Sequence, residues 1–289
     1  MSSPWWGRVS LFRSGISSRL SLLNSLFPNC FINQTVLKHI HLAETTSTMQ
    51  AVRDADERLA AGGVVVVSAD YQTSGRGQRG NSWESEHGQN LLFSMTFCPV
   101  GVQASRQFMV SEALSVSIVE TVRSIAPSVS ATVKWPNDIY IGDCKVAGIL
   151  IEHDLQGGEI RRTIAGVGLN VNQMVFRSDA PNPVSLRQVF RQQFDCKVLL
   201  DAILGKFFGM MGLEGKRATA TSASVHATYM QLLYRRKGLF PYRAGSETFM
   251  AEIADVSANG TLLLRTADGK VRQFGFKEVE FVIKPNDKL

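Results

Sequence analysis

Tyr71-Gln72-Thr73-Ser74-Gly75-Arg76-Gly77-Gln78-Arg79-Gly80-Asn81-Ser82-Trp83 follows the apolar run Val64-Val65-Val66-Val67 and precedes Leu91-Leu92-Phe93-Ser94-Met95. Its glycine spacing matches the G-x-G-x-x-G fingerprint of dinucleotide-binding folds. That fingerprint needs a helix opening at the glycines, with its N-terminus aimed at a pyrophosphate. Asn81 to Gly88 shows no helical apolar period, and the next apolar stretch reads as a strand. The loop therefore joins two strands, which argues against a doubly wound sheet. Glycine lets a backbone bend sharply and approach a ligand closely. The planar, permanently charged fork of arginine fits a carboxylate or a phosphate. The stretch describes a loop that holds a negatively charged small molecule. Standing alone it also fits a glycine-rich hairpin with two solvated arginines, so residues elsewhere decide.

Working outward, Ser47 is a candidate N-cap for a helix running from Thr48 through Val52, Ala55 and Leu59 to a Gly62-Gly63 stop. Val64–Ser68 reads as a buried strand. Gln103–Ile125 is the longest helical pattern, ended by Pro127. Thr132–Trp135, Asp138–Ile141, Lys145–Ile151 and Ile160–Val167 read as strands, with turns at Gly142-Asp143 and Gly157-Gly158. Strands that cluster without a helix between each pair favour an α+β mixed sheet with packed helices. Helical segments follow near Val198–Met211 and His226–Arg235. The composition shifts at Lys237-Gly238-Leu239-Phe240-Pro241, after which Glu247–Asp255, Gly260–Thr266 and Val271–Phe276 alternate around Asn259-Gly260 and Asp268-Gly269 turns. This pattern predicts a small antiparallel barrel. The expected organisation is an extension over 1–36, a main domain over 37–236 and a small β domain over 237–289.

The 289 residues carry 31 Lys and Arg against 25 Asp and Glu, a net charge of +6. Arg8, Arg13, Arg19 and Lys38 lie in the first 43 residues, which hold no acid, so the remainder is close to neutral. A basic nucleic-acid face gets no support from that distribution. No apolar run approaches the ~20 residues of a membrane helix. Cys30, Cys98, Cys144 and Cys196 are widely spaced, without a C-x-x-C pair, and His39-x-His41 lacks Cys partners. Neither a zinc site nor a disulfide framework is expected, and a reducing, cytoplasmic setting follows. The Ser- and Arg-rich N-terminus also has the composition of an organellar transit peptide, which would place the chain in an organelle matrix. No G-x-x-x-x-G-K-[ST] phosphate loop occurs.

Further elements accompany the glycine loop in order: Thr46-Ser47-Thr48 upstream, then Lys134-Trp135-Pro136-Asn137-Asp138, Lys145-Val146-Ala147-Gly148-Ile149-Leu150 and Gly166-Val167-Gly168-Leu169-Asn170-Val171. Together they resemble the catalytic domain of biotin protein ligases, from about Ile40 to the C-terminus. The resemblance implies a class II synthetase-like catalytic domain followed by an SH3-like C-terminal module. It also implies a two-step reaction. Biotin's carboxylate attacks the α-phosphate of ATP to give biotinyl-5′-AMP and pyrophosphate. A lysine amine of a biotin carboxyl carrier protein or domain then displaces AMP and leaves an amide. Some relatives add a DNA-binding winged helix; the extension here is too short for one, so no repressor role is expected.

Residue by residue, Ser47, Thr48 and Gln72 match the family's positions for the ureido ring, a neutral polar group whose burial demands hydrogen-bond partners. Met49 stands where many relatives have asparagine. Arg76 matches the group for the biotin carboxylate and later the adenylate phosphate, between Gly75 and Gly77, which let the loop fold over the product. Gln78 sits where many relatives carry a second arginine, a charge that Arg79 is placed to supply. Lys145 matches the lysine that approaches the biotin carbonyl and α-phosphate, with Gly148 completing its Lys-x-x-Gly element. Asp138 is placed either to contact magnesium or to orient the incoming lysine. Lys134, Asn137 and Asn170 match nucleotide contacts, while Trp83 either packs on the nucleotide or joins the core. Biotin and ATP are the expected small molecules, with Mg2+ arriving alongside ATP. Pairing into a homodimer through sheet edges is open. The rival readings are a lipoate or octanoate ligase, whose loop is expected to read Arg-Arg-x-x-Gly-Gly-Gly, and a non-catalytic biotin sensor. Arg76, Asp138, Lys145 and Asn170 together argue against decay to a sensor.

Overall fold

The computed structural model describes residues 37–59, 63–78, 81–99, 102–125, 127, 129–178, 182–213 and 218–283. The extension over 1–36, the expected Gly62 helix stop, Arg79 and Gly80 lie outside the described residues. A seven-stranded sheet is built from β1 (Leu37–Thr45), β2 (Val64–Gln72), β3 (Leu91–Phe97), β4 (Ala131–Lys134), β5 (Asp138–Ile141), β6 (Cys144–Gln156) and β7 (Glu159–Leu169). Its order is β1-β2-β3-β7-β6-β5-β4. Only β1 and β2 run parallel; every other neighbouring pair is antiparallel. Parallel neighbours need a crossover, and α1 (Thr48–Leu59) supplies it. This is the mixed α+β sheet that the loop reading predicts.

The four consecutive valines of β2 show why the sheet is buried on both faces. Val64 and Val66 point into the large core, while Val65 and Val67 pack with Met49 and Val52 of α1. A run of β-branched residues without polar alternation suits a strand covered on both sides. Against the large core lie α2 (Phe108–Ile125), α4 (Cys196–Met211) and α5 (Ser222–Leu232), carrying Leu114, Phe207 and Tyr229 into it. A short α3 (Leu186–Phe190) bridges the end of the sheet. No helix among the described residues is long and apolar enough to cross a membrane.

Several boundaries differ from expectation, those below for local reasons. The long helical pattern opens with a separate 3-10 turn, Ala104–Arg106, before α2 begins at Phe108. The last helix starts at Ser222 because Thr221 and Ser224 form a capping box. It stops at Leu232 because Leu233 bridges Val133 in parallel and the Tyr234 N–H donates to the Val133 carbonyl at 2.8 Å. Edge pairing thus captures residues that helical spacing alone assigns to α5. Strands β6 and β7 are longer than predicted, since their pairing runs out to the turn at Gly157 and Gly158, with φ of 61° and 85°.

Beyond residue 237, β8 (Phe240–Ala244), β9 (Glu247–Val256), β10 (Leu262–Thr266), β11 (Val271–Phe274) and β12 (Glu280–Phe281) form a second antiparallel sheet. Their order is β11-β10-β9-β8-β12. The expected closed barrel is not formed. β12 has two residues, pairs only with β8 and leaves β11 as the opposite edge, so the arrangement is an open antiparallel sheet, compatible with an SH3-like module. Tyr242, Ile253, Leu262 and Leu264 join the same hydrophobic cluster as the main sheet. The Trp135 indole donates to the Gly260 carbonyl at 2.9 Å. A Cβ on Gly260 would come within 2.7 Å of Phe108, so the turn there packs tightly on α2.

Candidate active site

A cleft of about 1270 Å³ runs across the sheet from the start of α1 to the second sheet. At the α1 end its floor is polar. Thr48 donates to the Gln72 side-chain carbonyl through its backbone N–H at 2.7 Å and its hydroxyl at 3.0 Å. The Thr48 and Ser94 hydroxyls lie 2.8 Å apart. Ser47 takes the N-cap position through its backbone, its carbonyl accepting from the Ala51 N–H at 3.0 Å. Its hydroxyl does not cap the helix. It is buried without a hydrogen-bond partner among the described residues. A buried orphan hydroxyl costs roughly 1–3 kcal/mol, and at the mouth of a cleft it is a group waiting for a ligand. Met49 lies flat on the sheet, because a Cβ on Gly166 would come within 2.7 Å of its sulfur.

The glycine loop extends the β1–β2 pairing through Thr73 and Ser74, whose N–H groups donate to the Thr45 and Thr46 carbonyls at 3.0 and 2.9 Å. It then folds on itself. The Gly77 N–H donates to the Asn81 carbonyl at 2.7 Å, the Trp83 N–H to the Gly75 carbonyl at 2.9 Å, and Arg76 bridges Ser82. A Cβ on Gly75 would stand 2.6 Å from the Trp83 carbonyl, and one on Gly77 3.1 Å from that of Asn81. The two glycines are required first by the returning arm of their own loop. Arg76 is left exposed on the cleft wall, with Gln78 beside it.

Past the loop, the Trp83 ring crosses the sheet over two glycines. A Cβ on Gly168 would meet it at 2.3 Å and one on Gly148 at 3.0 Å. Lys145 lies 5.5 Å from the centre of that ring and forms an ion pair with Asp138 at 2.7 Å. Pairing explains the meeting, since Lys145 opposes Tyr140 across β5–β6, two residues along from Asp138, which itself opposes Lys134 across β4–β5. Lys134 stands 5.4 Å from the Tyr140 ring centre and 5.1 Å from that of Phe281. Burial pushes its ammonium below the usual lysine range, against the opposing pull of Asp138. A desolvated ammonium regains its charge preference when an anion arrives. Asn137 donates its side-chain amide to the Ile149 carbonyl, and Asn170 donates to that of Val184 at 3.2 Å. Both line the cleft while holding strand and loop backbones in place.

The cleft brings together every described residue that the sequence singles out except Gly75, which stands behind it and shapes the loop. Several lining residues were given no site role by sequence reasoning. Ser94 faces Thr48 from the middle of an apolar strand, where its lone hydroxyl was the available signal. Gly166 and Gly168 alternate on one face of β7, a period-2 hint of close approach. Phe276, Lys277 and Phe281 come from the second sheet, and nothing local in the sequence joins them to Lys134. Among the described residues, no group of three or more His, Cys, Asp or Glu side chains is placed to hold a metal. The Asp138 carboxylate faces the cleft beside Lys134 and Lys145, which suits a magnesium ion carried in by phosphates.

Residues 42–170 match the family described as Biotin/lipoate A/B protein ligase family. The chain is 28% identical over 235 residues to the bifunctional ligase/repressor BirA of Bacillus spizizenii, covering 78% of this chain and 68% of that one. Against a biotin–[acetyl-CoA-carboxylase] ligase of Mycobacterium tuberculosis it is 32% identical over 124 residues, 42% of this chain and 44% of the relative. Its fold superposes on a biotin protein ligase from Aquifex aeolicus solved with biotin and ATP. The TM-score is 0.65 at 24% identity, covering 84% of this chain and 99% of the other. A Leishmania major biotin protein ligase in complex with biotinyl-5-AMP gives 0.58 at 22% identity, covering 82% and 98%.

Proposed function

With residues 42–170 belonging to the biotin/lipoate A/B protein ligase family, we propose that this chain is an ATP-dependent biotin protein ligase. It forms biotinyl-5′-AMP and passes the biotinyl group to a lysine of a biotin carboxyl carrier protein or domain. The observation that carries the reading is the layout of one cleft. An unpartnered buried hydroxyl and a glutamine amide stand at one end, and two lysines with one carboxylate stand further along the sheet.

Ser47, Thr48 and Gln72 receive the ureido ring, which is polar and uncharged. A purely alkyl acid would leave the Ser47 hydroxyl unsatisfied, so this end favours biotin over octanoate or lipoate. Biotin's carboxylate and a triphosphate repel each other, so the residues between them must align the pair and neutralise charge. Arg76 faces the carboxylate and then the acyl phosphate. Lys145 stabilises charge on the α-phosphate oxygens, oriented by Asp138. Lys134, Asn137 and Asn170 form the nucleotide end, with Trp83 supplying an aromatic face. Asp138 would hold a magnesium ion carried by the nucleotide, which would offset phosphate charge. In the second step the acceptor amine attacks the biotinyl carbonyl and AMP leaves. The cytoplasm is the setting that the reading favours, and no nucleic-acid partner is assigned.

Biotin-dependent exchange of labelled pyrophosphate into ATP isolates the first step. The wild-type protein should support exchange, and Arg76→Ala and Lys145→Ala should each lose at least about a hundredfold. Exchange driven by octanoate or lipoate instead of biotin would move the chain to the other branch of its family. Tight biotin binding without exchange would make it a sensor.

A further inference from the structure

Glu84 follows Trp83 directly on the cleft wall, with its carboxylate engaged by a neighbouring loop. Its two carboxylate oxygens take the backbone N–H groups of consecutive residues in another loop, Arg177 at 2.8 Å and Ser178 at 2.7 Å. The same carboxylate accepts from the Gln173 amide at 3.4 Å. Gln173 is fully buried, takes the Glu86 N–H at 3.0 Å and donates to the Val175 carbonyl at 2.8 Å. Both ends of the 173–178 loop are therefore tied to the segment that immediately follows the glycine loop. The tied loop is part of the site, since Phe176 and Ser178 line the cleft. The chain then returns past Lys145, whose N–H donates to the Asn182 carbonyl at 2.8 Å and whose carbonyl takes the Val184 N–H at 2.9 Å.

Both Glu84 oxygens are occupied by the 173–178 loop, which gives the carboxylate a structural partner rather than a free face toward the cleft. Nor is a surface ion pair being formed: the partners are two backbone amides, held in register by both oxygens. Charge-assisted bonds of this kind are about twice as strong as neutral ones. Burial raises the carboxyl's pKa, but hydrogen bonding from Ser178 and Arg177 outweighs it and holds Glu84 below the usual range.

We infer that Glu84 is a positioning residue that couples the two halves of the cleft, its carboxylate fixing the 173–178 loop to the arm of the glycine loop that carries Trp83. A ligand that settles Arg76 and Trp83 thereby settles Phe176 and Ser178, and the converse holds with equal magnitude. The inference rests on the assignment of biotin to the Ser47–Arg76 end and of the nucleotide beyond Trp83.

The test measures biotin affinity by calorimetry with and without a saturating non-hydrolysable ATP analogue and magnesium. It uses wild type, Glu84→Gln and Glu84→Ala, with melting temperatures recorded alongside. Wild type should bind biotin about 5–150-fold more tightly when the nucleotide is present. Glu84→Ala should keep its affinity for biotin alone while that factor falls to about one, and Glu84→Gln, which retains one acceptor oxygen, should fall between. An unchanged factor in a folded Glu84→Ala protein overturns the inference. So does a loss of affinity for biotin alone that merely follows a lowered melting temperature, since that is a structural tie. Wild-type protein that binds no biotin overturns the ligase reading and, with it, the clamp.

Discussion

Ser47 shows how one atom separates function from stability. Its hydroxyl is buried and unpartnered, so the protein bears its desolvation without recovering a hydrogen bond. Ser47→Ala should leave the melting temperature unchanged or slightly higher and weaken biotin binding by about tenfold, near 1.4 kcal/mol. A fall in stability without a change in affinity would mean that the hydroxyl caps α1 after all. Gly168 is the steric counterpart. Its missing side chain is what lets the Trp83 ring lie on β7, since a Cβ there would meet the ring at 2.3 Å. Gly168→Ala should displace the indole, visible as a changed tryptophan emission, and cut adenylate formation by at least about tenfold at little cost in stability. That Lys145, Asp138 and Arg76 line one cleft was expected from the ordered motifs of the family resemblance, not from any of the three residues alone. Glu84 was not, for its partners are backbone amides ninety-odd residues away, which carry no side-chain signature.

At the scale of elements, the sequence was most legible where burial and turn chemistry agree. Asp138–Ile141 falls where its alternation and the Gly142-Asp143 turn place it, and the valines of β2 announce a strand covered on both faces. The short α3 was missed, although Ser185 and Gln188 form a capping box visible as S-x-x-Q. Five residues give no periodicity to read. Helix α5 was shifted for a different reason, its end being decided by pairing with β4 and its start by the Thr221–Ser224 box. That box gives a prediction of its own. Thr221→Ala should lower unfolding free energy in urea by about 1 kcal/mol and leave activity intact.

A histidine adds a polar tie between the helical layer and the second sheet. His226 of α5 lies 2.7 Å from the Glu112 carboxylate of α2 and 3.2 Å from Asp255 of β9, beside Arg106. Burial lowers the imidazole's pKa, but Glu112 and Asp255 more than reverse this, leaving it above its ordinary 6.5. Burial also lifts the Glu112 carboxyl above its ordinary 4.5, even with His226 beside it. Both groups thus bind protons more tightly in the folded state. The His226 contribution is fully present below pH 6.5 and lost as pH rises through its raised value, while the Glu112 effect begins to fall away above 4.5. Stability should therefore decline as pH is raised through neutrality, and His226→Gln should flatten that decline in urea titrations. A variant with the wild-type slope would remove His226 from the account. The antiparallel strands of the second sheet were legible from its turns, whereas its openness and its reach into the cleft were not. Phe281 meets Lys134 only because the two sheets share one core.

All three scales converge on the transfer of biotin to a lysine, and intact mass spectrometry reads that directly. A biotin carboxyl carrier domain, incubated with this protein, biotin, ATP and magnesium, should gain one biotinyl group at a single lysine. The gain should vanish without ATP and fall sharply with Arg76→Ala or Lys145→Ala. A carrier that stays unmodified while wild-type protein binds biotin and ATP would contradict the account.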